Sequence, residues 1–434
     1  MVASILILAV GQLMLMSRRI PTTFSCLLIL FLVSFFVLPF GRVVSHFGSE
    51  VVWLIFSTFI LTGAIFESGL ARRFSLLLLK QSQGNLRFLV FAFFLVMFSL
   101  TFIIPTIIGR AAILIPVVIG LIKTCETVIH NPNLAKSLFI GMNQMVTLTG
   151  SMLITGSNSS IYALSLFREY SNLNWDFVFW MAVFLPSAIV YMIGLWLIML
   201  AVFPMANRKY EELLEYITGE IRAMGPLNRR EKRILAILVF VISLWITEPW
   251  HSLSIAFIGF IGALLTLVPG FGIWDWKKAK NSMDWDMFIL FGTSLVMADM
   301  LIQTKAFDPI VQFAGKFLSE GSVFGIAAAI TLATFLFRVI FVNSMGFMSV
   351  ALPLAFALAE AMQVNPIWMG ALVFVAGHND FYLVSQSPTN MMTYSYGYYS
   401  GKDLYKVGIW ASLLWMAITV CVSCLYWPML GISV

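Results

Sequence analysis

Charged residues are scarce in this 434-residue chain. Asp, Glu, Lys and Arg together make up 11% of it, whereas soluble domains carry about 25%. Hydrophobic residues account for 60%, and the longest polar stretch, residues 205–232, is too short to be a soluble domain. The sequence therefore excludes a soluble multidomain protein and predicts a chain whose main solvent is lipid.

Cysteine and histidine are also rare, with four of each. Cys421 and Cys424 form a C-x-x-C pair, but it lies inside the apolar run 407–430 with no histidine or acidic residue nearby. We therefore expect neither a zinc site nor a redox site, and no transition metal or organic cofactor. The apolar run that begins at residue 2 has no charged region before it, so it is not typical of a cleavable signal peptide.

Motifs of catalysis and of nucleic-acid binding are missing as well. The sequence contains no Gly-x-Ser-x-Gly motif, no metal-ligand cluster and no paired acids in a wet position. The net charge is +6, but no stretch mixes basic with aromatic residues in a soluble context. We predict neither an enzyme nor a nucleic-acid partner, and membrane lipid as the surrounding medium.

Long apolar runs mark the membrane spans, since about 20 apolar residues cross a bilayer. Two apolar stretches, 87–122 and 322–362, are too long for one span and are interrupted at Pro105-Thr106 and Asn343-Ser344. Non-helical backbone at membrane depth is tolerated where it lines a cavity, so we predict two re-entrant helical hairpins. The expected fold is an all-α polytopic membrane protein. Ten spans are predicted, near residues 2–16, 23–41, 51–70, 136–166, 176–204, 233–250, 252–270, 286–303, 366–395 and 404–430.

Basic residues indicate the orientation. They collect in the stretches 17–22, 71–87, 205–233 and 271–285, which the order of spans places on one side. Basic loops stay in the cytoplasm, so we predict a multi-pass protein of the cytoplasmic (inner) membrane. Surface helices are expected at 71–86, 208–222 and 304–320.

The order of these elements repeats along the chain. The hairpin prolines Pro116 and Pro353 are 237 positions apart, and the interruptions at Ser157 and Ser387 are 230 apart. An odd number of crossings separates equivalent points, so the two halves are inverted. Inverted repeats with corresponding broken segments indicate a secondary transporter with its site at the midplane. The predicted units are a first inverted repeat 1–205 (hairpin 87–122, broken helix 136–166), a cytoplasmic linker helix 206–231 and a second inverted repeat 232–434 (hairpin 322–362, broken helix 366–395).

The hairpin tips and broken helices carry hydroxyls, amides, glycine and proline where a lipid-facing helix would carry leucine. Helix N-termini at such breaks attract anions, and freed carbonyls with Ser, Thr and Asn oxygens coordinate a cation such as sodium. Arg110 is a basic residue near the first tip, and a charge there is expensive and therefore a functional candidate. The residues predicted to bind an anionic substrate are Thr106, Arg110, Ser157, Asn158, Asn343, Ser344, Ser387, Pro388, Thr389 and Asn390. The residues predicted to bind sodium are Thr106, Thr155, Gly156, Ser159, Ser160, Asn343, Gln386 and Ser387.

Other interpretations stay open for some of these residues. Small polar side chains also hold membrane helices together. Arg110 can pair with a buried acid such as Glu67 instead of a substrate, and Arg338 before the second tip is a similar case. The triplet His378-Asn379-Asp380 either relays a proton or forms a structural network.

Three segments carry a family resemblance. They are Val51 to Arg73, Glu231 to Pro249, and Ser385 to Tyr398 followed by Gly401-Lys402-Asp403-Leu404-Tyr405-Lys406-Val407-Gly408. With these segments the chain resembles the divalent anion/sodium symporters, part of the ion transporter superfamily that also holds arsenite and citrate carriers. The resemblance implies dicarboxylate or sulfate as substrate and sodium as coupling ion. It also implies a homodimer whose scaffold stays fixed while a core moves like an elevator.

The resemblance also points to positions. It places the Ser-Asn-Thr triplets of the family's hairpin tips on Thr106-Ile107-Ile108 and Asn343-Ser344-Met345, where this sequence differs. Its Thr-Pro pair falls on Ser387-Pro388 and its Asn on Asn390.

The predicted function is secondary active transport of a small anion, a di- or tricarboxylate, by alternating access coupled to sodium. The alternative is a proton-coupled or uncoupled carrier of another anion, such as sulfate or an arsenite-like efflux substrate. A receptor or scaffold is a third class, but it has no reason to place polar broken helices at the midplane.

Overall fold

Helices make up nearly all of the regular structure. The computed structural model describes residues 1–17, 19–104, 106–128, 131–171, 173–309, 311 and 322–434. Within these ranges no strand forms, and a single isolated bridge joins Asn85 to Lys209. In the first half the helices are α1 (Val2–Ser17), α2 (Thr22–Phe36), α3 (Phe40–Ser45), α4 (Glu50–Ser68), α5 (Leu70–Lys80), α6 (Leu86–Ile103), α7 (Ile107–Val128), α8 (Pro132–Met152), α9 (Asn158–Tyr170) and α10 (Phe177–Val202).

The remaining described helices belong to the linker and the second half. A linker helix, α11 (Glu211–Ala223), leads to α12 (Arg229–Ile246), α13 (Glu248–His251), α14 (Ile255–Leu267), α15 (Trp276–Ser282), α16 (Trp285–Gln303), α17 (Val323–Arg338), α18 (Ser344–Met362), α19 (Pro366–Ala376), α20 (Pro388–Tyr394) and α21 (Gly401–Cys421). The predicted surface helices at 71–86 and 208–222 correspond to α5 and α11. The third, at 304–320, lies mostly outside the described residues.

The prediction of an all-α polytopic membrane protein is confirmed. Seven apolar stretches within the described residues are long enough to cross a membrane, and five shorter apolar helices accompany them. Three of the seven are α6, α7 and α18, which belong to the stretches predicted as hairpins. Re-entrant hairpins, and the inverted symmetry of the two halves, therefore stay predictions.

Both predicted broken helices are interrupted. Helix α8 ends at Met152, a 3₁₀ turn covers Ile154–Gly156, and α9 begins directly afterwards. A Cβ atom on Gly156 would lie 2.6 Å from the carbonyl oxygen of Gly150, so this turn packs closely enough to require glycine. The second interruption follows α19 and ends in a 3₁₀ turn, Val384–Gln386, before α20.

The chain also breaks between the helices of each predicted hairpin. Helices α6 and α7 are separated at 104–106, although Pro105 itself is outside the described residues. Helices α17 and α18 are separated at 339–343, close to the predicted interruption at Asn343-Ser344.

The four basic stretches meet on one face of the molecule. Glu67 at the end of α4 accepts hydrogen bonds from Lys278 Nζ at 2.9 Å and from Arg230 Nη1 at 3.2 Å. The hydroxyl of Thr23, beside the 17–22 loop, contacts Asp286. We call this face the basic face. Arg42 pairs with Asp299 on another part of the surface, at the far end of α16.

A buried ion pair anchors the linker to the first half. Arg73 of α5 donates from Nε to Glu231 Oε1 at 2.7 Å, and its Nη1 donates to the carbonyl oxygen of Gly225 at 2.7 Å. The Glu231 side chain is 1% exposed. Hence α5, the end of the linker and the start of α12 form one rigid corner of the basic face.

Removing one partner of this pair destabilises the protein. We expect Arg73→Ala to cost about 3–5 kcal/mol, because it leaves the Glu231 carboxylate buried without its counter-charge. The neighbouring Arg72→Ala is the matched control: its pair with Glu220 is half exposed and is worth about 0–1 kcal/mol. Thermal unfolding of the two variants in detergent measures the difference, and equal losses would contradict the role of burial.

The same pair gives a stability that depends on pH. Burial raises the pKa of Glu231, but hydrogen bonds from Arg73 and from the Asn228 N–H, with the charge of Arg73, hold it below its ordinary value of 4.5. Its contribution is therefore present above about pH 4.5 and lost as the pH falls further. Thermal unfolding between pH 7 and pH 3.5 should show a steeper loss for the wild type than for Glu231→Gln. Parallel curves would contradict this assignment.

Candidate functional site

One large cavity is lined by both predicted tips and both predicted breaks. Its volume is about 810 Å³, and it is lined by the first tip, the first break, the second tip and the second break. From there it extends to Lys278, Asn281 and Asp284, which are exposed on the basic face. The cavity therefore reaches from the interior of the protein to the basic face.

Nine predicted site residues line this cavity, and six do not. Those that line it are Thr106, Ser157, Asn158, Ser159, Asn343, Ser344, Ser387, Pro388 and Thr389. Those behind the wall are Arg110, Thr155, Gly156, Ser160, Gln386 and Asn390, all of them buried. The sequence placed the segments correctly, but whether each residue faces the cavity depends on the local turn.

The first break is held by a cluster of serines. Ser157 caps α9, because its Oγ accepts from the backbone N–H of Ser160 at 3.1 Å. The same Oγ lies 2.9 Å from Ser159 Oγ and 2.8 Å from Ser160 Oγ, and Ser160 donates to the carbonyl oxygen of Gly150 at 2.8 Å. Ser160 thus fastens the break to α8, while Ser157 and Ser159 line the cavity.

The second tip and the second break are capped in a similar way. Asn343 caps α18 by accepting from the N–H of Gly346 at 2.6 Å, and Ser387 caps α20 by accepting from the N–H of Thr389 at 3.2 Å. Asn390 does not reach the cavity, because its Nδ2 donates to the carbonyl oxygens of Asp380 and Leu383 at 2.8 and 3.1 Å. Its role in this conformation is to fix the irregular backbone ahead of α20.

Helix N-termini converge on the cavity. Residues of the first turns of α7, α9 and α18 line it, and the short α20 also begins at its wall. A helix N-terminus carries about half a positive elementary charge and exposes unpaired N–H groups. This arrangement favours an anion over a cation in the central part of the cavity.

Arg110 has a position that the sequence did not predict. Its side chain is completely buried behind the first break, and its Nη2 donates to the carbonyl oxygens of Val146 and Gly156 at 3.0 and 3.1 Å. The predicted direct substrate contact is therefore not present in this conformation. Pairing with Glu67 is not present either, because Glu67 binds Lys278 and Arg230 instead.

Arg338 has the corresponding place at the second break. Its Nε donates to the carbonyl oxygen of Gly377 at 3.1 Å, its Nη1 to that of Phe341 at 2.7 Å, and its Nη2 to that of Gln386 at 3.3 Å. Unlike Arg110 it lines the cavity. Each break thus holds a buried guanidinium group bound to backbone carbonyls.

Hydrogen bonds across the cavity floor join the two halves of the chain. Ser159 Oγ lies 3.2 Å from His378 Nε2, while His378 Nδ1 lies 2.8 Å from the carbonyl oxygen of Phe374. The carbonyl can only accept, so Nδ1 carries the hydrogen and Nε2 accepts from the serine. Thr147 Oγ1 also donates to Asp380 Oδ2 at 3.0 Å. His378 therefore belongs to a hydrogen-bond network that joins the two halves, and both interpretations, a proton relay and a structural network, stay open.

Several lining residues were not among the predicted ligands. Thr62 on α4, Thr147 on α8, and Glu67 and Lys278 near the entrance all line the cavity. Thr147 lies inside the predicted broken helix and is polar, but the sequence did not show that its side chain faces the cavity. Within the described ranges, no three His, Cys, Asp or Glu side chains come together as a metal site.

Comparisons with known proteins identify the family. The family model described as the transmembrane region of sodium:sulfate symporters matches residues 1–433. An L-tartrate/succinate antiporter of Escherichia coli K12 is 25% identical over 402 residues, which cover 89% of this chain and 80% of the relative. A membrane protein of Cupriavidus necator is 22% identical over 400 residues, covering 90% of this chain and 77% of the relative. The resemblance seen in the sequence is confirmed: this multi-pass membrane protein belongs to the sodium:sulfate symporter family.

Proposed function

We propose that this protein carries small dicarboxylate anions across the cytoplasmic membrane by alternating access, and that it exchanges one anion for another. The observation that carries the proposal is a cavity surrounded by helix N-termini with two buried guanidinium groups, that of Arg338 in its wall and that of Arg110 behind it. The family supports an anion carrier, and relatives named as L-tartrate/succinate antiporters support a carboxylate as the substrate.

An anionic substrate follows from the charge around the cavity. The N-termini of α7, α9 and α18 supply partial positive charge and free N–H groups. Ser157, Asn158 and Ser344 add neutral hydrogen-bonding groups at the same wall. A substrate with two separated carboxylates can contact the tips and breaks of both halves at once.

The guanidinium groups bind the carbonyls at which sodium was predicted. Arg110 donates to the Gly156 carbonyl and Arg338 to the Gln386 carbonyl. Gly156 and Gln386 are two of the residues that were predicted to bind sodium. A guanidinium is always charged in proteins and has no acceptor atoms. A sodium ion at either place would lie against a fixed positive charge, so the geometry favours a carrier in which arginine supplies the positive charge.

Fixed charges have a consequence for the transport cycle. Sodium ions leave with the substrate, so an empty symporter can return uncharged. The two guanidinium groups cannot leave, and Asp380 in the cavity wall can offset only one of them. Moving an uncompensated charge through low-dielectric surroundings is expensive. By this count the empty site is one charge positive and the site with a bound dianion is one charge negative, but the N-termini of α7, α9 and α18 each add about half a positive charge. The loaded site is therefore nearer to neutral than the empty one, so the loaded carrier crosses more readily, and this is the condition for exchange.

Sodium-coupled symport, the prediction from the sequence, is the second candidate. The family description and the hydroxyl groups of Thr106, Ser159 and Ser387 at the cavity favour it. Proton coupling and transport of sulfate are further outcomes that the same experiment separates.

The test is uptake of labelled succinate into proteoliposomes. With unlabelled succinate or L-tartrate inside, we expect uptake at least about tenfold faster than into empty vesicles, and equal rates in sodium and in choline buffer. Uptake into empty vesicles driven by an inward sodium gradient would establish the symport candidate instead. Uptake into empty vesicles driven by a proton gradient, or uptake of sulfate alone, would overturn the proposal in favour of those alternatives.

The two arginines should be separately required. We expect Arg110→Gln and Arg338→Gln each to lower exchange by about tenfold or more, because each removes a charge worth more than 1.4 kcal/mol to the bound anion. Arg229→Gln, at an exposed position on the basic face, is the matched control and should exchange at the wild-type rate. Full activity of either buried variant would contradict the role of fixed charge.

The cavity should be accessible from the cytoplasm. In a chain whose four native cysteines are replaced, we expect Asn158→Cys to react with a charged thiol reagent in inside-out vesicles and to be protected by succinate. Ser160→Cys, two residues further on and fully buried, should not react. Equal labelling of the two variants, or labelling of Asn158→Cys from the outside alone, would contradict this orientation.

A further inference from the structure

Asp380 is a cavity residue that the transport of a plain dianion does not explain. It lines the cavity with 3% of its surface exposed, and its Oδ2 accepts the hydrogen bond from Thr147 Oγ1. Its Oδ1 is buried and has no hydrogen-bond partner among the described residues. A buried carboxylate oxygen without a donor is costly, so this atom indicates a place for a donor that comes from the cavity.

The polar side chains near Asp380 donate their hydrogen bonds to other acceptors. Arg338 directs its N–H groups to backbone carbonyls and to Ser344 Oγ. Nδ1 of His378 donates to the carbonyl oxygen of Phe374, and Nε2 accepts from Ser159 Oγ. The amide nitrogen of Asn390 donates to two backbone carbonyls, one of them that of Asp380 itself. The hydroxyl of Ser387 also approaches the carboxyl group of Asp380, but it makes no hydrogen bond to Oδ1. None of these groups satisfies Oδ1 in this conformation.

The chemistry of a carboxylate restricts what the donor can be. Asp380 repels a substrate carboxylate, but it accepts a strong, charge-assisted hydrogen bond from an O–H group. A bare cation is the other possible occupant, but the guanidinium of Arg338 lines the same cavity and opposes it. A hydroxyl on the substrate is the neutral donor that fits beside two carboxylates held by helix N-termini.

We propose that Asp380, positioned by Thr147, accepts a hydrogen bond from a substrate hydroxyl, so that the site prefers hydroxylated four-carbon dicarboxylates to unsubstituted ones. This inference rests on the proposed function and adds the substrate class and a residue that selects it. A site that pairs a substrate hydroxyl disfavours the analogue without it, because a buried polar group is then left unpaired.

The test compares three four-carbon dicarboxylates that carry no, one or two hydroxyls: succinate, L-malate and L-tartrate. Their dissociation constants are measured by isothermal titration calorimetry on the purified full chain. For the wild type we expect L-malate or L-tartrate to bind at least about tenfold more tightly than succinate. For Asp380→Ala and Asp380→Asn the ratio should fall to within about twofold, with succinate bound at least as tightly as before, because the repulsion of its carboxylates is gone.

Two further variants separate selection from general damage. Thr147→Val keeps the shape of the side chain but removes the donor to Oδ2, so we expect an intermediate ratio with succinate binding retained. Glu215→Gln removes an exposed carboxylate of the linker helix and should leave all three constants unchanged. If Asp380→Ala does not fold, Asp380→Asn and Thr147→Val still give the ratio of the dissociation constant of succinate to those of the hydroxylated compounds.

The outcomes distinguish this inference from the proposed function. Equal affinity of the wild type for all three compounds would overturn the role of Asp380 while leaving dicarboxylate exchange intact. An equal loss of affinity for all three compounds in the Asp380 variants would also overturn the role of Asp380 and leave dicarboxylate exchange intact. Binding that requires sodium in the wild type and loses that requirement in Asp380→Asn would assign Oδ1 to a cation instead. Absence of binding of all three to the wild type would overturn both proposals.

Discussion

The cost of holding charge inside a membrane protein governs the arrangement of this molecule. Arg110 and Arg338 are each completely buried, and a cation in such surroundings persists only where oxygen atoms replace water. The break before α9 supplies the carbonyl of Gly156, and the break before α20 supplies those of Gly377 and Gln386, because a helix that stops leaves carbonyls without partners. The carbonyl oxygens at the breaks therefore stabilise the guanidinium charges, and the guanidinium N–H groups supply those carbonyls with hydrogen bonds.

The parts of the fold that depend on solvent preference were predictable from the sequence. Apolar length predicted the all-α membrane fold, and the basic stretches that were expected to share a side do meet through Glu67, Lys278 and Arg230. Glycine, proline and hydroxyl residues located the interruptions near Ser157 and Ser387, since these residues weaken a helix in lipid. Such features depend on composition over many residues, so one side chain pointing elsewhere does not change them.

The direction of individual side chains could not be predicted in the same way. Ser159 and Ser160 are adjacent and chemically identical, yet Ser159 lines the cavity while Ser160 turns back to α8. The 3₁₀ turn before α9 decides between them, and its rotation is set by contacts with α8 that the local sequence does not specify. Arg110 was recognised as important for its charge, but its partners are carbonyl groups, which every residue carries and no sequence pattern distinguishes.

The hydrogen bonds across the cavity floor bear on which parts of the protein move together. Thr147 and Asp380, like Ser159 and His378, come from different halves of the sequence and are buried as pairs. Asn143 of α8 adds a third such link by accepting from Thr393 at 2.9 Å. A motion that pulled the two halves apart would expose or orphan all of these groups at once. In the proposed alternating access, the moving body therefore contains both broken helices, and its boundary with the rest of the protein crosses the sequence halves instead of following them.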